Sequence, residues 1–560
     1  MASAAVAAAA GPEAVDVDVV VIGGGCNGTG LARDLSKRGL RVALYEKADL
    51  GRGATGNSSA MIHGGPRYLL NDTQTTRHAC IDSGHIQKIV PHLLFRIPFV
   101  VPVPRVNPFG RLGLLLHDAY FDVYDRYAPF KGGIPHAQLS PAQLAAVEPG
   151  LVGDYLGAIT LDEWGIDPGR LCVLNARDAA AHGASIHTYT PVTGLLRAGG
   201  GAIMGVTVCP QGGVPQAVRA RAVVNCAGPW AQQVGSMADD RVRLRPGKGV
   251  HLIYGRRLTN YAVTTQAVDG RQIFIMPYQN ETWIGTTDDD FYGDLDAPEA
   301  TADEVGYLRT ALERLFPRLV DQRLIGTRVG IRNTIDGWGV PEDDLSRRHE
   351  IVDHGRSGAA GLFSILGGKL ASFRMQAAEA ADAVCVYLGR PGARCETHLH
   401  TLPGGSQAPT PEALMAAYPI DLLSAQRLLY RHGALAPAVL ELGRESADGY
   451  AIVDPLEPVL ACEVRWCLRH EYVRHLGDLS MRCRVASGSD LGLAAGRRVA
   501  TIFAEERGLD RTDAAAGLAD LLGRRWRTAR AVLSNAQLAQ AELLRLAYRD
   551  LLRAPERRHV

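Results

Sequence analysis

Residues 18–28, Asp-Val-Val-Val-Ile-Gly-Gly-Gly-Cys-Asn-Gly, constrain the fold more than any other stretch of this chain. A short β-branched apolar run enters a glycine cluster and leaves through Thr29-Gly30-Leu31-Ala32-Arg33-Asp34-Leu35. That order reads as strand, tight turn, helix. Gly23, Gly25 and Gly28 stand at G-x-G-x-x-G spacing, and Glu46 closes the next apolar run, Val42-Ala43-Leu44-Tyr45, 18 residues after Gly28. Gly23 allows the sharp turn, Gly25 allows the backbone to approach a pyrophosphate, and Gly28 allows helix to pack on strand. The helix start offers free N–H groups and a positive dipole end to phosphate. A carboxylate at the position of Glu46 accepts hydrogen bonds from ribose hydroxyls. The segment predicts a dinucleotide site.

Composition sets limits on the rest. A chain of 560 residues is long enough for roughly three to four domains. A hydrophobic fraction of 46% with 21% charged residues is ordinary for a soluble globular protein. The net charge of +1 gives no global electrostatic case for a nucleic-acid partner. The ten cysteines are scattered, and Cys226 sits in an apolar run. That usage fits a reducing, cytoplasmic compartment and buried thiols, with no metal site expected. Residues 1–15 lack a basic n-region and read as a disordered lead. No apolar run reaches the ~18–20 residues needed to cross a bilayer, which leaves binding at a membrane surface open.

Strand and helix patterns alternate from Val17 to about Arg52, and a glycine-rich turn region, 51–59, follows. Residues 75–91 and 168–182 predict helices. A strand is expected over 184–190, and a small meander around Gly199-Gly200-Gly201 and Gln211-Gly212-Gly213. Val223-Val224-Asn225-Cys226-Ala227-Gly228 is a second buried strand running into glycine. Strands are expected over 249–286, a helix over 302–316, and a last strand before Gly367-Gly368-Lys369 with a helix to about Leu388. The Pro/Gly/Ser stretch 403–411 reads as a linker, beyond which the pattern becomes helical. The expected division is a discontinuous domain (16–75, 168–248 and 326–390), a β-rich insertion (76–167 and 249–325), a linker (391–410) and a helical C-terminal domain (411–560).

Several motifs then occur in order: Gly53-Ala54-Thr55-Gly56, His63-Gly64-Gly65-Pro66-Arg67-Tyr68-Leu69, Asn225-Cys226-Ala227-Gly228-Pro229-Trp230, Lys248-Gly249-Val250-His251, Ile284-Gly285-Thr286-Thr287-Asp288, Gly330-Ile331-Arg332 and Gly367-Gly368-Lys369-Leu370. Over about residues 16–500 the chain resembles the FAD-dependent glycerol-3-phosphate dehydrogenases of the amino-acid-oxidase-like flavoprotein group. The resemblance implies an α/β fold: a Rossmann-like FAD-binding domain, a β-rich substrate or cap domain, and a helical C-terminal domain of the aerobic type. It implies FAD as cofactor, oxidation of glycerol 3-phosphate to dihydroxyacetone phosphate, and passage of electrons to a membrane quinone. A related oxidase of another hydroxy acid or amine, or a non-catalytic flavin-binding subunit, are the alternative readings. A homodimer is possible. The segment 411–500, with Glu463-Val464-Arg465-Trp466, is similar to the helical domain of the aerobic members. Cys462, Cys467 and Cys483 there are expected to be structural, because cluster binding needs four ligands.

The resemblance assigns roles by motif. Arg67, Tyr68, Thr287, Arg332 and Lys369 would hold the substrate, whose phosphate needs fixed positive charge. His251, in Lys-Gly-x-His, is the favoured proton acceptor, with Arg332 beside it in the catalytic set. FAD would be lined by Gly23, Gly25, Gly28, Glu46, Thr55, Gly56, Ser58, His63, Val192, Ala227, Gly228, Trp230, Gly367, Gly368, Lys369 and Leu370. Trp230 could equally be core. Two departures flank the site: Pro66 stands where the family usually has leucine, and Asn333 where it has proline. For membrane contact, residues 93–116 interleave apolar side chains with Arg96, Arg105 and Arg111, and residues 523–560 hold nine Arg against three Asp or Glu. Both suggest a peripheral protein on the inner face of the cell membrane; the simpler reading of 93–116 is an internal strand and helix.

Overall fold

A computed structural model describes residues 16–69, 72–238, 242–337, 339–340, 345 and 348–549. The expected lead, 1–15, and the end of the basic tail lie outside the described residues. The architecture is the three-part α/β arrangement expected: two sheets and a helical C-terminal domain.

The first sheet grows around strand Val17–Ile22, whose Val19, Val20 and Val21 are fully buried. Burial on both faces is what a central parallel strand requires. It pairs in parallel with Val42–Tyr45 on one side and with Gln216–Asn225 on the other. Leu362–Gly367 extends the parallel run, and an antiparallel strand, His349–Asp353, closes that edge. Helix Cys26–Lys37 packs between helices Pro168–Ala181 and Phe373–Tyr387.

The second sheet has nine strands and is mostly antiparallel. Its two faces are sorted by the period-two rule of strands. Val250, Leu252, Tyr254, Ile273, Ile275 and Ile284 pack with Leu308 and Leu312 of helix Ala302–Leu315. Alternate residues, among them Gly249, His251, Trp283, Arg328, Gly330 and Arg332, face a large cavity. Strands Leu244–Tyr254 and Leu324–Ile335 run antiparallel, with His251 opposite Arg328 and Gly247 opposite Arg332.

The segment expected to be an internal strand or a membrane contact divides. Leu94–Pro104 is a strand paired along its length with Tyr155–Ile166. Arg96 pairs with Asp162 at 2.9 Å, and Arg105 with Asp154 at 2.9 Å. Only 106–116 presents apolar side chains outward, with Val106 92%, Phe109 58%, Leu112 61% and Leu115 59% exposed. The stretch 403–411 is not a loose tether: Gly404 and Gly405 are buried, the Gly404 carbonyl accepts from Ala434 N–H at 3.0 Å, and Gly405 N–H donates to the Leu402 carbonyl at 2.8 Å. The three cysteines of the helical domain are free and lie in its apolar core.

Buried ion pairs join the helical domain to the rest. Arg482 grips Asp49, in the loop after the second strand, through contacts of 2.6 and 2.9 Å. Arg170 meets Glu471 at 2.5 Å. No described helix is long and apolar enough to cross a membrane.

Candidate active site

A cavity of about 1640 Å³ opens between the first sheet, the second sheet and the helical domain. Its first wall is the glycine turn. Gly23 sits at φ +108°, and a Cβ on Gly28 would stand 1.9 Å from the Gly23 carbonyl oxygen, so only glycine lets this helix start so close to the strand. Gly28 therefore lies beneath the wall, while Gly23 and Gly25 line it. Helix Cys26–Lys37 begins without a side-chain cap. Its first N–H groups are thus left for water or a ligand, apart from Cys26, whose N–H donates to Thr55 Oγ1 at 3.2 Å.

Glu46 is fixed by two backbone donors, Gly24 N–H at 2.6 Å and Ala48 N–H at 2.8 Å. Burial nevertheless pushes its carboxyl up. Thr55, Gly56, Ser58, His63, Val192, Ala227, Gly228, Trp230, Gly367, Gly368 and Leu370 all line the same cavity. The Ser58 hydroxyl is engaged locally, donating to the Thr55 carbonyl at 2.8 Å. Trp230 is wall rather than core: Lys47 Nζ lies 4.1 Å from its ring centroid, and its buried Nε1 has no partner among the described residues.

The opposite wall carries the charged groups. Lys369 Nζ sits 3.3 Å from the Tyr68 ring centroid. The Arg332 fork donates to Asp288 Oδ1 at 2.7 Å, Thr286 Oγ1 at 3.1 Å and the Thr287 carbonyl at 3.0 Å. His251 Nε2 shares a 2.9 Å hydrogen bond with Ser59 Oγ, and its Nδ1 is buried without a partner among the described residues. Glycine makes room for both side chains. A Cβ on Gly249 would meet Arg332 Nη2 at 2.6 Å, and one on Gly285 would meet His251 Cδ2 at 2.7 Å.

One expected substrate residue is misplaced. Thr287 is buried off the cavity, its hydroxyl accepting from Val250 N–H at 3.0 Å; its neighbours Thr286 and Asp288 line the cavity instead. The side chain of Arg67 lies outside the described residues. Sequence reasoning also missed Ser59, Asp288 and Arg328. Arg328 was detectable as the alternate partner of Arg332 in Arg-Val-Gly-Ile-Arg, two arginines of one strand face. The two departures find local reasons. Asn333 Nδ2 donates to the Gly367 carbonyl at 3.1 Å, a bond proline could not make, and Pro66 opens the 3-10 turn Pro66–Tyr68.

Residues 18–374 match the FAD dependent oxidoreductase family, and residues 395–514 match the C-terminal domain of alpha-glycerophosphate oxidase. A subunit of the anaerobic glycerol-3-phosphate dehydrogenase of Escherichia coli is 32% identical over 542 residues, covering 95% of this chain and 96% of that protein. The chain belongs to the FAD-dependent glycerol-3-phosphate dehydrogenase family. Glycerol-3-phosphate dehydrogenase of Mycobacterium leprae is 32% identical over 507 residues, 87% of this chain and 84% of that protein. The crystal structure of the glycerol-3-phosphate dehydrogenase from Bacillus halodurans complexed with FAD shares the fold, with a TM-score of 0.71 at 23% identity over 93% of this chain and 96% of that one. The anaerobic relative aligns through the helical domain as well, so that domain does not by itself separate the aerobic members of the family from the anaerobic ones.

The wall chemistry fits the family's FAD. An uncapped helix start, a carboxylate held at the end of the second strand and the unpartnered Trp230 donor are complementary to a dinucleotide.

The buried histidines make an acid-stability prediction. Burial, with Arg328 and Arg332 nearby, pushes His251 down to about 3. Burial, with Arg170 and His432 nearby, does the same to His92. Unfolded histidine binds a proton below about 6.5, whereas these two resist until about 3, so the unfolded state holds more protons through that window. Stability is expected to fall as pH drops from about 6.5 toward 3. His136, raised against its burial by hydrogen bonds to Asp125 and Asp118, opposes this with a single group. Melting curves from pH 7 to pH 5 test it; a flat melting temperature contradicts it.

Proposed function

We propose that this chain oxidises sn-glycerol 3-phosphate to dihydroxyacetone phosphate. The observation that carries the reading is the convergence of His251, Arg332, Lys369 and Tyr68 on the cavity walled by the glycine turn and Glu46. FAD bound there supplies a hydride acceptor at N5. The helix start at Cys26 and the Gly25 backbone would hold its pyrophosphate, Glu46 its ribose, and the Gly367-Gly368 turn its flavin edge. Arg332 and Lys369 bind the substrate phosphate, one as a planar fork and one as a point charge. His251 is neutral at physiological pH, so in this reading its imidazole can take the C2 hydroxyl proton as the C2 hydride leaves. The 2.9 Å hydrogen bond shared by Nε2 and Ser59 Oγ orients the ring.

Anaerobic addition of glycerol 3-phosphate to the purified yellow protein is the test. Loss of the flavin absorbance is expected; unchanged absorbance overturns the reading.

The electrons go to a membrane quinone in this reading. Exposed Phe109 and Leu116 also line the cavity, which gives it an apolar lip flanked by Arg111. Such a lip suits the acyl boundary of a bilayer with anionic headgroups. The protein is expected to sediment with anionic liposomes, and less as salt rises and screening shortens the reach of charge to about 8 Å. Changing Phe109, Leu112 and Leu115 together to Ser should abolish sedimentation. Equal sedimentation of wild type and triple variant excludes this lip as the contact.

A further inference from the structure

Arg328 is an anomaly in the cavity wall. It is half-buried, and its Nε is fully buried without a partner. Among the described residues it makes no hydrogen bond and no ion pair; its guanidinium lies 4.4 Å from the Trp283 ring centroid. A buried N–H donor left unmet costs stability, and such a group is retained where something else meets the side chain. Arg525, from helix Arg511–Arg530 of the C-terminal domain, lines the same cavity. It donates to the Ser487 carbonyl at 3.2 Å, has no ion pair among the described residues, and also buries an unpartnered Nε. Thr327, next to Arg328, ties this strand to the same helix: its hydroxyl donates at 3.0 Å to the carbonyl of Thr528, one helical turn from Arg525.

The carboxylates near this pair are already committed. Glu281 accepts from Trp283 Nε1 at 2.8 Å and meets Arg484 at 3.3 Å. Asp167 caps the helix Pro168–Ala181 through two N–H groups at 3.0 Å. By contrast, the Arg332 fork is held in place by Asp288, Thr286 and Thr287. Arg328 and Arg332 lie on one strand face four residues apart, roughly 13 Å along the strand. His251 stands directly across from Arg328.

We propose that Arg328 and Arg525 form a second oxyanion subsite in this cavity, distinct from Arg332 and Lys369, and that it takes a second anionic group of the substrate or a free phosphate. The inference rests on reading the cavity as a substrate site. An alcohol carrying an anion at each end would then lie with its hydroxyl near His251 and one anion on each arginine.

Calorimetric titration of the oxidised holoenzyme with inorganic phosphate tests this. Phosphate binding is expected to survive saturation with dihydroxyacetone phosphate. Arg328→Met and Arg525→Met should each weaken it by about tenfold or more, the scale of one charge-assisted hydrogen bond. Arg328→Lys, which keeps the charge, should weaken it less, and flavin content with melting temperature shows that each variant is folded. 3-Phosphoglycerate separates the two sources. If it binds more tightly than dihydroxyacetone phosphate and Arg328→Met removes the gain, the occupant is a second anionic group of the substrate; equal affinity makes it free phosphate. Complete displacement of phosphate by dihydroxyacetone phosphate, or binding indifferent to both Met substitutions, overturns the subsite. If dihydroxyacetone phosphate does not bind at all, the glycerol phosphate reading fails, while an Arg328-dependent phosphate site stands.

Discussion

Arg332→Ala is expected to lower kcat/KM for glycerol 3-phosphate by about 2–5 kcal/mol, or roughly 30-fold to a few thousand-fold. The size follows from how the side chain is held. Asp288 and the Thr286–Thr287 segment fix the fork before any substrate arrives, so little ordering is left for binding. Lysine at this position cannot reproduce a planar fork, and Arg332→Lys should recover only part of the loss. Flavin content should survive both changes, because the cofactor's proposed contacts come from other strands. Unchanged turnover efficiency in Arg332→Ala removes this residue from the site.

Asp49→Ala is expected to destabilise the protein by about 3–5 kcal/mol, the usual result of stripping one partner from a buried ion pair. Arg482 is fully buried, makes two bonds to Asp49, and donates to the Glu471 carbonyl at 2.7 Å. With Asp49 gone, the guanidinium keeps its backbone bond but loses its counter-charge. The Asp49→Leu/Arg482→Met double variant should recover much of the stability, since a well-packed apolar pair often matches a buried ion pair. Differential scanning calorimetry reads both effects. A melting profile unmoved by Asp49→Ala contradicts the view that this pair fastens the helical domain.

The parts of the molecule legible in the sequence are those where one residue type has a single physical use. The glycine turn and Glu46 belong to this class, because the close approach in the turn admits nothing larger than glycine. The helices Thr73–Ile89 and Pro168–Ala181 are readable from their periodicity and flanking Pro91 and Asp167. Thr287 is not readable. Past the end of strand Glu281–Gly285 the alternation of faces stops, and nothing local says whether Thr286 or Thr287 turns inward. For Arg328 the strand face is readable from Arg-Val-Gly-Ile-Arg, but its want of a counter-ion among the described residues is visible only once both sheet and helical domain are in place. The prolines at 98, 102, 104 and 108 argue against one continuous helix in 93–116, and the first three fall in a strand instead. They share one parity in strand Leu94–Pro104, so their missing donors all point to one side, where Ala262–Gln266 pairs only at Phe99 and Val100.

Strand Leu324–Ile335 touches the helical domain through Thr327, presents Arg328 and Arg332 to the cavity, and reaches the first sheet through Asn333. Its twelve residues therefore act as a tie-rod across three bodies. A ligand gripped by both arginines would pull on the seating of the helical domain, and a protein that shifted that domain would alter the grip. Linkage makes the two influences equal in free energy. A partner seated on the outer surface of the helical domain would thus change ligand affinity without any contact with flavin or substrate.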